Sequence, residues 1–361
     1  MEQSRPESMH RPMAAVDRRR LLLMLGAGAA ALATGLGRHA LATGSDIRFF
    51  RIGTGGPSGT YFPLGAEIAN ALSNPPGSRD CAKGGACGVP GVIAVAQASQ
   101  GSVENVEAVV KGQFESALCQ ADVANWAYGG TNGFAKEGPH PELRALANLY
   151  AESLHIVVRA DGPIHTVKDL KGKRVSLGEP ESGTLVDARL ILAGAGLTEK
   201  EVKASYMKLT AATAGLADGS IDGFFQIAGW PVAAITELAQ STPVRILPIP
   251  AEMAEHLHKK WSYLAADRIP AGTYAGINED IDTLGIGAEW ITTDKIEADF
   301  AYRLVKALWN ESNQKMIENG HPIGKRIKLA KAIEGLAIPL HPGAERFYRE
   351  AGLLVQASQS Q

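Results

Sequence analysis

Apolar and polar positions along the chain change period repeatedly, and the alternation predicts most of the elements. Residues 47–53 read as a strand, followed by a glycine-rich turn. Pro63 then opens a helix through Leu72, in the first helical position that proline favours. Residues 92–98 form a second strand. Ser102 precedes Val103, Val106, Val109 and Val110, whose spacing is helical. A third strand is expected over 114–119 and a helix over 121–128. Two successive strands follow, over 143–149 and 154–158. Strand and helix alternate, so a largely parallel sheet is expected.

The pattern then restarts. Thr166 to Asp169 is a capping box, with a strand over 174–177 after it. Capping boxes at Thr184–Asp187 and Thr198–Glu201 each open a helix. Strands are expected over 221–227 and 244–249, with a helix from Trp230-Pro231 to Leu238 between them. Residues 299–316 read as one long amphipathic helix. A shorter helical segment covers 328–333, and the tail holds a final short helix. We read two α/β lobes with the chain passing between them more than once. The first part of lobe one spans 43–152, lobe two spans 153–278, and 279–361 returns to the hinge and lobe one.

The N-terminus is set aside from the fold. Arg18-Arg19-Arg20 precedes an apolar run of 13 residues and then Ala40-Leu41-Ala42. This is the order of a secretory signal, cleaved near Ala42. The arginine pair resembles a twin-arginine signal, but Asp17 stands where Ser or Thr is usual, so the export route stays open. The whole chain carries 36 basic and 38 acidic residues and 6% aromatics, which argues against a nucleic-acid binder. Without residues 1–42 the balance is 30 basic against 35 acidic. Cys81 and Cys87 share a Gly- and Pro-rich loop, and in an exported protein that pair reads as a disulfide. A metal would want more ligands, and no histidine accompanies them. Cys119 reads as a buried small hydrophobe.

Two segments are alike across the lobes. Ser58-Gly59-Thr60 and Ser182-Gly183-Thr184 each follow a strand and a glycine turn and lead into a helix. A helix start offers free N–H groups and a positive dipole end. One such unit is an ordinary capped helix; two facing each other make a clamp for a carboxylate. Nucleotide motifs fail: Ser58 stands where the dinucleotide fingerprint needs glycine, and no lysine follows the turn. Glu252, Glu255, His256 and His258 read as a solvated helix face rather than a metal site. Further polar groups end the second and third strands: Gly101-Ser102 to Asn105, and Gln120-Ala121-Asp122. In open α/β sheets ligands sit at that edge.

With these stretches in place, the chain resembles the TAXI family of solute receptors serving tripartite ATP-independent periplasmic (TRAP) transporters. The resemblance rests on GTGGPSGTYFPLG (53–65), GSVEN (101–105), QADVA (120–124), LYAESLHIVVR (149–159), VKDLKGKRVSLG (167–178), IDGFFQIAGWP (221–231) and IPLHPGAERFYREAG (338–352). It implies a two-lobed periplasmic binding protein fold of type II kind, with a ligand cleft between hinged lobes. It implies a periplasmic monomer without metal or cofactor that captures a small organic anion, such as glutamate or a related carboxylate. That ligand is handed to the TRAP membrane permease. Carried over residue by residue, the implied pocket is Ser58, Gly59, Thr60, Tyr61, Ser102, Asn105, Gln120, Ser182, Gly183 and Thr184. Glu152, where the chain crosses between lobes, meets either an ammonium group or a hinge salt bridge. Of Phe224 and Phe225, strand alternation sends one to the core and the other to the cleft, and Phe225 is taken for the cleft. No arginine is placed at these strand ends.

Two competing classes remain. An exported hydrolase using Ser58 or Ser182 needs a histidine and an acid in reach, and His155, His165, His321 and His341 lie in no recognisable motif. A binding protein feeding a membrane sensor is indistinguishable at this level from one feeding a permease.

Overall fold

The computed structural model describes residues 47–354, so the export signal expected over 1–42 lies outside the described residues. Strand β1 (Arg48–Gly53) leads through the glycine turn into α1 (Tyr61–Leu72). The short strands β2 (Ser73–Asn74) and β3 (Val89–Pro90) pair in parallel and flank the cysteine loop, where Cys81 and Cys87 are disulfide-bonded. β4 (Val92–Gln97), α2 (Ser102–Val110), β5 (Ser116–Gln120) and α3 (Ala121–Gly129) complete the first block. The 17-residue β6 (Leu143–Arg159) leaves it. The second block holds β7 (Arg174–Ser176), α4 (Gly183–Gly194), β8 (Lys203–Ser205), α5 (Leu209–Asp218) and β9 (Gly223–Ala228). It continues with α6 (Ala233–Ser241), β10 (Val244–Ile246), α7 (Ala251–Lys260) and β11 (Ala265–Ile269). The 13-residue β12 (Ile281–Thr293) returns, and α8 (Ala298–Leu308), α9 (Glu311–Gly320) and α10 (Pro342–Glu350) close the first lobe.

All strands but β2 and β3 share one mixed sheet, ordered β4-β1-β5-β12-β6-β9-β7-β8, with β10 on β6 and β11 on β12. Its spine is the antiparallel pair β6 and β12, in register from Leu143–Thr293 to Ser153–Gly285. The parallel block β4-β1-β5 joins β12 at Ala288 to Ile291. The parallel block β9-β7-β8 joins β6 at Ser153 to Val158. Two α/β lobes therefore hang from opposite ends of one two-stranded ladder. Each lobe buries apolar side chains on both sheet faces. In the first, Phe50, Ile52, Leu64, Ile68 and Trp290 pack with α8 and α10, and Val106, Val123 and Ile291 fill the other side. In the second, Ile156, Val175, Leu185 and Phe225 form one layer, and Val157, Leu216, Phe224 and Ile235 the other. Phe224 and Phe225 thus take opposite faces, as alternation requires.

The structure departs from the sequence expectations in several places, each with a local cause. The sheet is mixed rather than largely parallel, because the spine runs against both parallel blocks. The strands expected over 143–149 and 154–158 are one strand, since nothing between them favours a turn and both faces are buried. The helix expected over 299–316 breaks at Trp309-Asn310. There the Asn310 side chain accepts the Ser312 N–H and starts α9. Ser182, not Thr184, caps α4, its hydroxyl accepting from the Leu185 N–H at 3.1 Å. Helix α1 begins at Tyr61, which places Pro63 third; its missing N–H costs nothing there, because the first four have no intrahelical acceptor. The capping boxes at Thr166–Asp169 and Thr198–Glu201 both form, on 3-10 turns rather than longer helices.

Candidate functional site

Both glycine turns end at one cleft between the lobes, partly open to solvent. From the first lobe the β1–α1 turn contributes Ser58, Gly59, Thr60 and Tyr61, and the starts of α2 and α3 contribute Ser102 and Gln120. The second lobe contributes Ser182, Gly183 and Thr184 from the start of α4 and Phe225 from β9. Glu152 enters from the spine strand β6. Of the residues anticipated from sequence, Asn105 alone does not line the cleft. Its amide is fully buried and braces the strand ends, donating to the carbonyls of Thr54 at 2.6 Å and Leu118 at 2.7 Å. Its oxygen accepts the Ser99 hydroxyl at 2.8 Å.

The lobes touch across the cleft. The Thr60 hydroxyl donates to the Gly229 carbonyl at 2.9 Å. The N–H groups of Val103 and Glu104, in the first turn of α2, both reach the Glu181 carbonyl, at 3.1 and 3.3 Å. The Gln120 amide donates to Asp187 on α4 at 2.7 Å. Gly183 is required by this contact: a Cβ there would lie 1.3 Å from the Gln120 carbonyl oxygen. The conformation is a closed one.

Most hydroxyls of the expected clamp have internal partners. Ser182 donates to the Glu179 carbonyl at 2.7 Å, and Thr184 accepts the Ile227 N–H at 3.2 Å. Ser102 lies against Gln120, accepting its backbone N–H at 3.1 Å. What stays unused is backbone. The N–H groups of Tyr61 and Phe62 on α1, and of Gly183 and Thr184 on α4, have no intrahelical acceptor by position. None of them takes part in a turn, loop or cap hydrogen bond. Two helix starts thus present free donors and positive dipole ends to one cleft.

The side-chain electrostatics have the opposite sign. The acidic side chains lining the cleft are Glu152 and Glu179, and among the described residues no Lys, Arg or His lines it. Glu152 is buried, and its Oε2 accepts the Tyr61 hydroxyl at 2.8 Å. The Tyr150 hydroxyl lies 3.5 Å from its other oxygen. Burial pushes the Glu152 carboxyl up to about 8, although both hydroxyls pull the other way. Among the described residues no basic group bridges it, and its partners are the two hydroxyls. Burial also raises Glu179.

Among the lining residues that sequence reasoning did not assign to the pocket are Gly178, Glu179, Met207, Leu209, Ala212 and Gln226. Met207 and Leu209 lie at the start of α5, an element with no capping signal of its own. Glu179 sits between Gly178 and Pro180 in the second turn, so the pairing of the two turns pointed at its location without marking the carboxylate. The histidines are elsewhere. His155 is buried against the Tyr274 hydroxyl at 2.9 Å and held near 4 by burial. His321 and His341 cap helical turns through their ring nitrogens.

Several solved structures are similar to this chain at low identity. The periplasmic aliphatic sulphonate binding protein of Escherichia coli is 14% identical, covering 84% of this chain and 83% of its own, with a TM-score of 0.44. The alkanesulfonate-binding protein of Xanthomonas axonopodis pv. citri, bound to MOPS, is 13% identical over 86% and 96%, with a TM-score of 0.46. An ancestral arginine-binding protein bound to arginine is 15% identical over 75% and 97%, with a TM-score of 0.44. The sequence profile of the NMT1-like family matches residues 52–352, which takes in both lobes and every residue of the cleft, and the chain belongs to that family.

Proposed function

We propose that the protein is an exported solute-binding receptor of the TAXI type. In this reading it acts as a periplasmic monomer and hands a small organic solute to a TRAP membrane permease. One observation carries the reading: two helix starts from opposite lobes aim unused N–H groups into a closed cleft whose charged side chains are carboxylates. The helix ends suit a carboxylate group on the ligand. With Glu152 and Glu179 beside it and no basic side chain, a bare dicarboxylate leaves acid facing acid, which is costly when desolvated. A solute carrying both a carboxylate and an ammonium or other donor group satisfies both ends. Glutamate belongs to that class. The ligand set of this proposal is Ser58, Gly59, Thr60, Tyr61, Ser102, Gln120, Glu152, Ser182, Gly183, Thr184 and Phe225, with Asn105 as their brace. The lobe limits 43–152, 153–278 and 279–361 are proposed with it.

The hydrolase reading loses its support at Ser58 and Ser182. No histidine lines the cleft, and the Ser182 hydroxyl is engaged with its own helix. The test is mass spectrometry of the small molecule released from purified, denatured protein, followed by calorimetry of that molecule on the emptied protein. A zwitterionic carboxylate binding one to one supports the proposal. Release of no small molecule, together with no binding from an amino-acid and carboxylate library, refutes it.

A further inference from the structure

Behind the cleft, two buried carboxyl groups meet across the lobes. Asp122 lies in the first turn of α3 and Asp187 in the second turn of α4; both are buried, at 0% and 2% exposure. Gln120, two residues before Asp122, bonds Asp187 across the lobes, and each aspartate is among the groups that set the other's titration. Gln120 satisfies one Asp187 oxygen. The other Asp187 oxygen and both Asp122 oxygens have no side-chain donor. The groups facing the pair supply none: Glu152 from β6, Glu289 from β12, Cys119 from β5, and Tyr263 from the loop before β11. Four acids, a thiol and a phenol surround this point, with no Lys, Arg or His among them. Two ionised carboxylates together there are costly, because the Gln120 amide and the backbone N–H groups at the start of α3 offset only part of their desolvation and mutual repulsion.

We infer that the lobes close over a proton shared between Asp122 and Asp187, so that closure takes up a proton from solution. One shared proton turns the clash into an O–H···O⁻ bond and gives one oxygen of each group a partner. Opening separates α3 from α4, hydrates both groups and releases the proton, since an exposed aspartate titrates near 3.9. The direction of titration agrees: burial lifts Asp122 to about 7 and Asp187 well above its ordinary value. The closed state is therefore favoured in acid and loses its advantage progressively as pH rises from about 3.9 to about 7. Glu152 and Glu289 also titrate high, but they lie on the spine strands and remain in any background that alters only the pair.

The test needs no ligand, so it stands or falls apart from the transport reading. A Cβ built at Gly101 lies 3.5 Å from the Ser182 Cβ across the cleft, within the usual span of a disulfide. The full-length exported chain carrying Gly101→Cys and Ser182→Cys therefore reports closure by its rate of oxidation. The rate is measured from pH 5.5 to 9 with and without Asp187→Asn. The introduced amide donates to Asp122 without needing a proton, so the substituted chain closes independently of pH. Thiol ionisation and the positive φ at position 101 are common to both backgrounds and cancel in the ratio of rates. The ratio of native pair to substituted pair should fall by about tenfold per pH unit over the acid part of the range, the slope of one proton, and level off above about pH 7, where open and closed states are both ionised. A flat ratio overturns the inference. So does failure to form the disulfide in either background at any pH, which removes the interlobe contact itself. If Asp187→Asn does not fold, Asp122→Asn makes the same comparison from the other lobe.

Discussion

Replacing Glu152 by glutamine isolates the energetic weight of the buried acid in the cleft. The carboxyl titrates at about 8 in the folded chain against 4.5 for the free group, and burial is the largest cause. A carboxyl raised on folding favours the protonated form. Its contribution to stability is fully present below pH 4.5 and is lost progressively up to pH 8, above which both states are ionised. Each pH unit between those limits costs about 1.4 kcal/mol, so the whole window is worth at most about 5 kcal/mol. Glutamine keeps the shape and an acceptor for the Tyr61 hydroxyl, and carries no proton to lose. Glu152→Gln should therefore change stability little at pH 5 and raise it by several kcal/mol at pH 8.5, relative to the parent at the same pH. Urea unfolding at the two pH values measures this directly. Parallel stability profiles for parent and variant across that range would show that Glu152 is not the titrating group, and would sink the assignment. The same variant should bind an ammonium-bearing ligand at least tenfold more weakly at pH 8.5, where the parent supplies a charged acceptor.

Gly183→Ala drives a Cβ into the buried Gln120 oxygen and should break the Gln120–Asp187 bond. Affinity for the co-purified ligand, read by calorimetry, should fall by tenfold or more while a circular dichroism melt still shows a folded protein. Asn105→Ala leaves the Thr54 and Leu118 carbonyls without their donor; it should cost about 2–4 kcal/mol in stability by denaturant titration. Cys81→Ser with Cys87→Ser opens a six-residue separation and should lower stability by about 2 kcal/mol; thiol titration of the denatured parent without reductant should find Cys119 alone.

Periodicity alone placed most strands and helices of each lobe, because β1, β4, β5, β7 and β9 are short apolar runs closed by glycine, serine or helix caps. The spine was not legible. β12 carries Gly285 and Gly287, which weaken a strand pattern, and their reason is tertiary. A Cβ at 285 would meet the Asp267 side chain at 2.9 Å, and one at 287 would meet Asn148 at 3.2 Å. The continuity of β6 through Ala151 and Glu152 was hidden for a related reason. A glutamate in the middle of an apolar run reads as a break unless its partner, the Tyr61 hydroxyl 91 residues earlier, is known. In the site, the paired Ser-Gly-Thr turns pointed correctly to the two helix starts. The spacing could not tell that Thr60 and Ser182 use their hydroxyls on protein carbonyls. Nor could it separate Ser102, on the cleft wall, from Asn105 one helical turn behind it. Asp122 and Asp187 lie in unrelated segments, and only the packing of α3 against the start of α4 brings them together.

The two strands that cross between the lobes are hydrogen-bonded to each other along most of their length, and β12 shifts register against β6 between Ala288 and Glu289 and again between Trp290 and Ile291. Relative motion of the halves is then the flexing of a leaf spring, not the swing of two loose straps. A ladder of this kind resists twisting and shear while yielding to bending, and its irregular steps concentrate the bend. Both crossing segments are already ordered before anything binds, so little binding energy is spent on freezing linkers. The amplitude of opening is limited by the same ladder. On the proposed receptor reading, limited opening favours compact ligands on grounds of access, before any polar contact has selected among them.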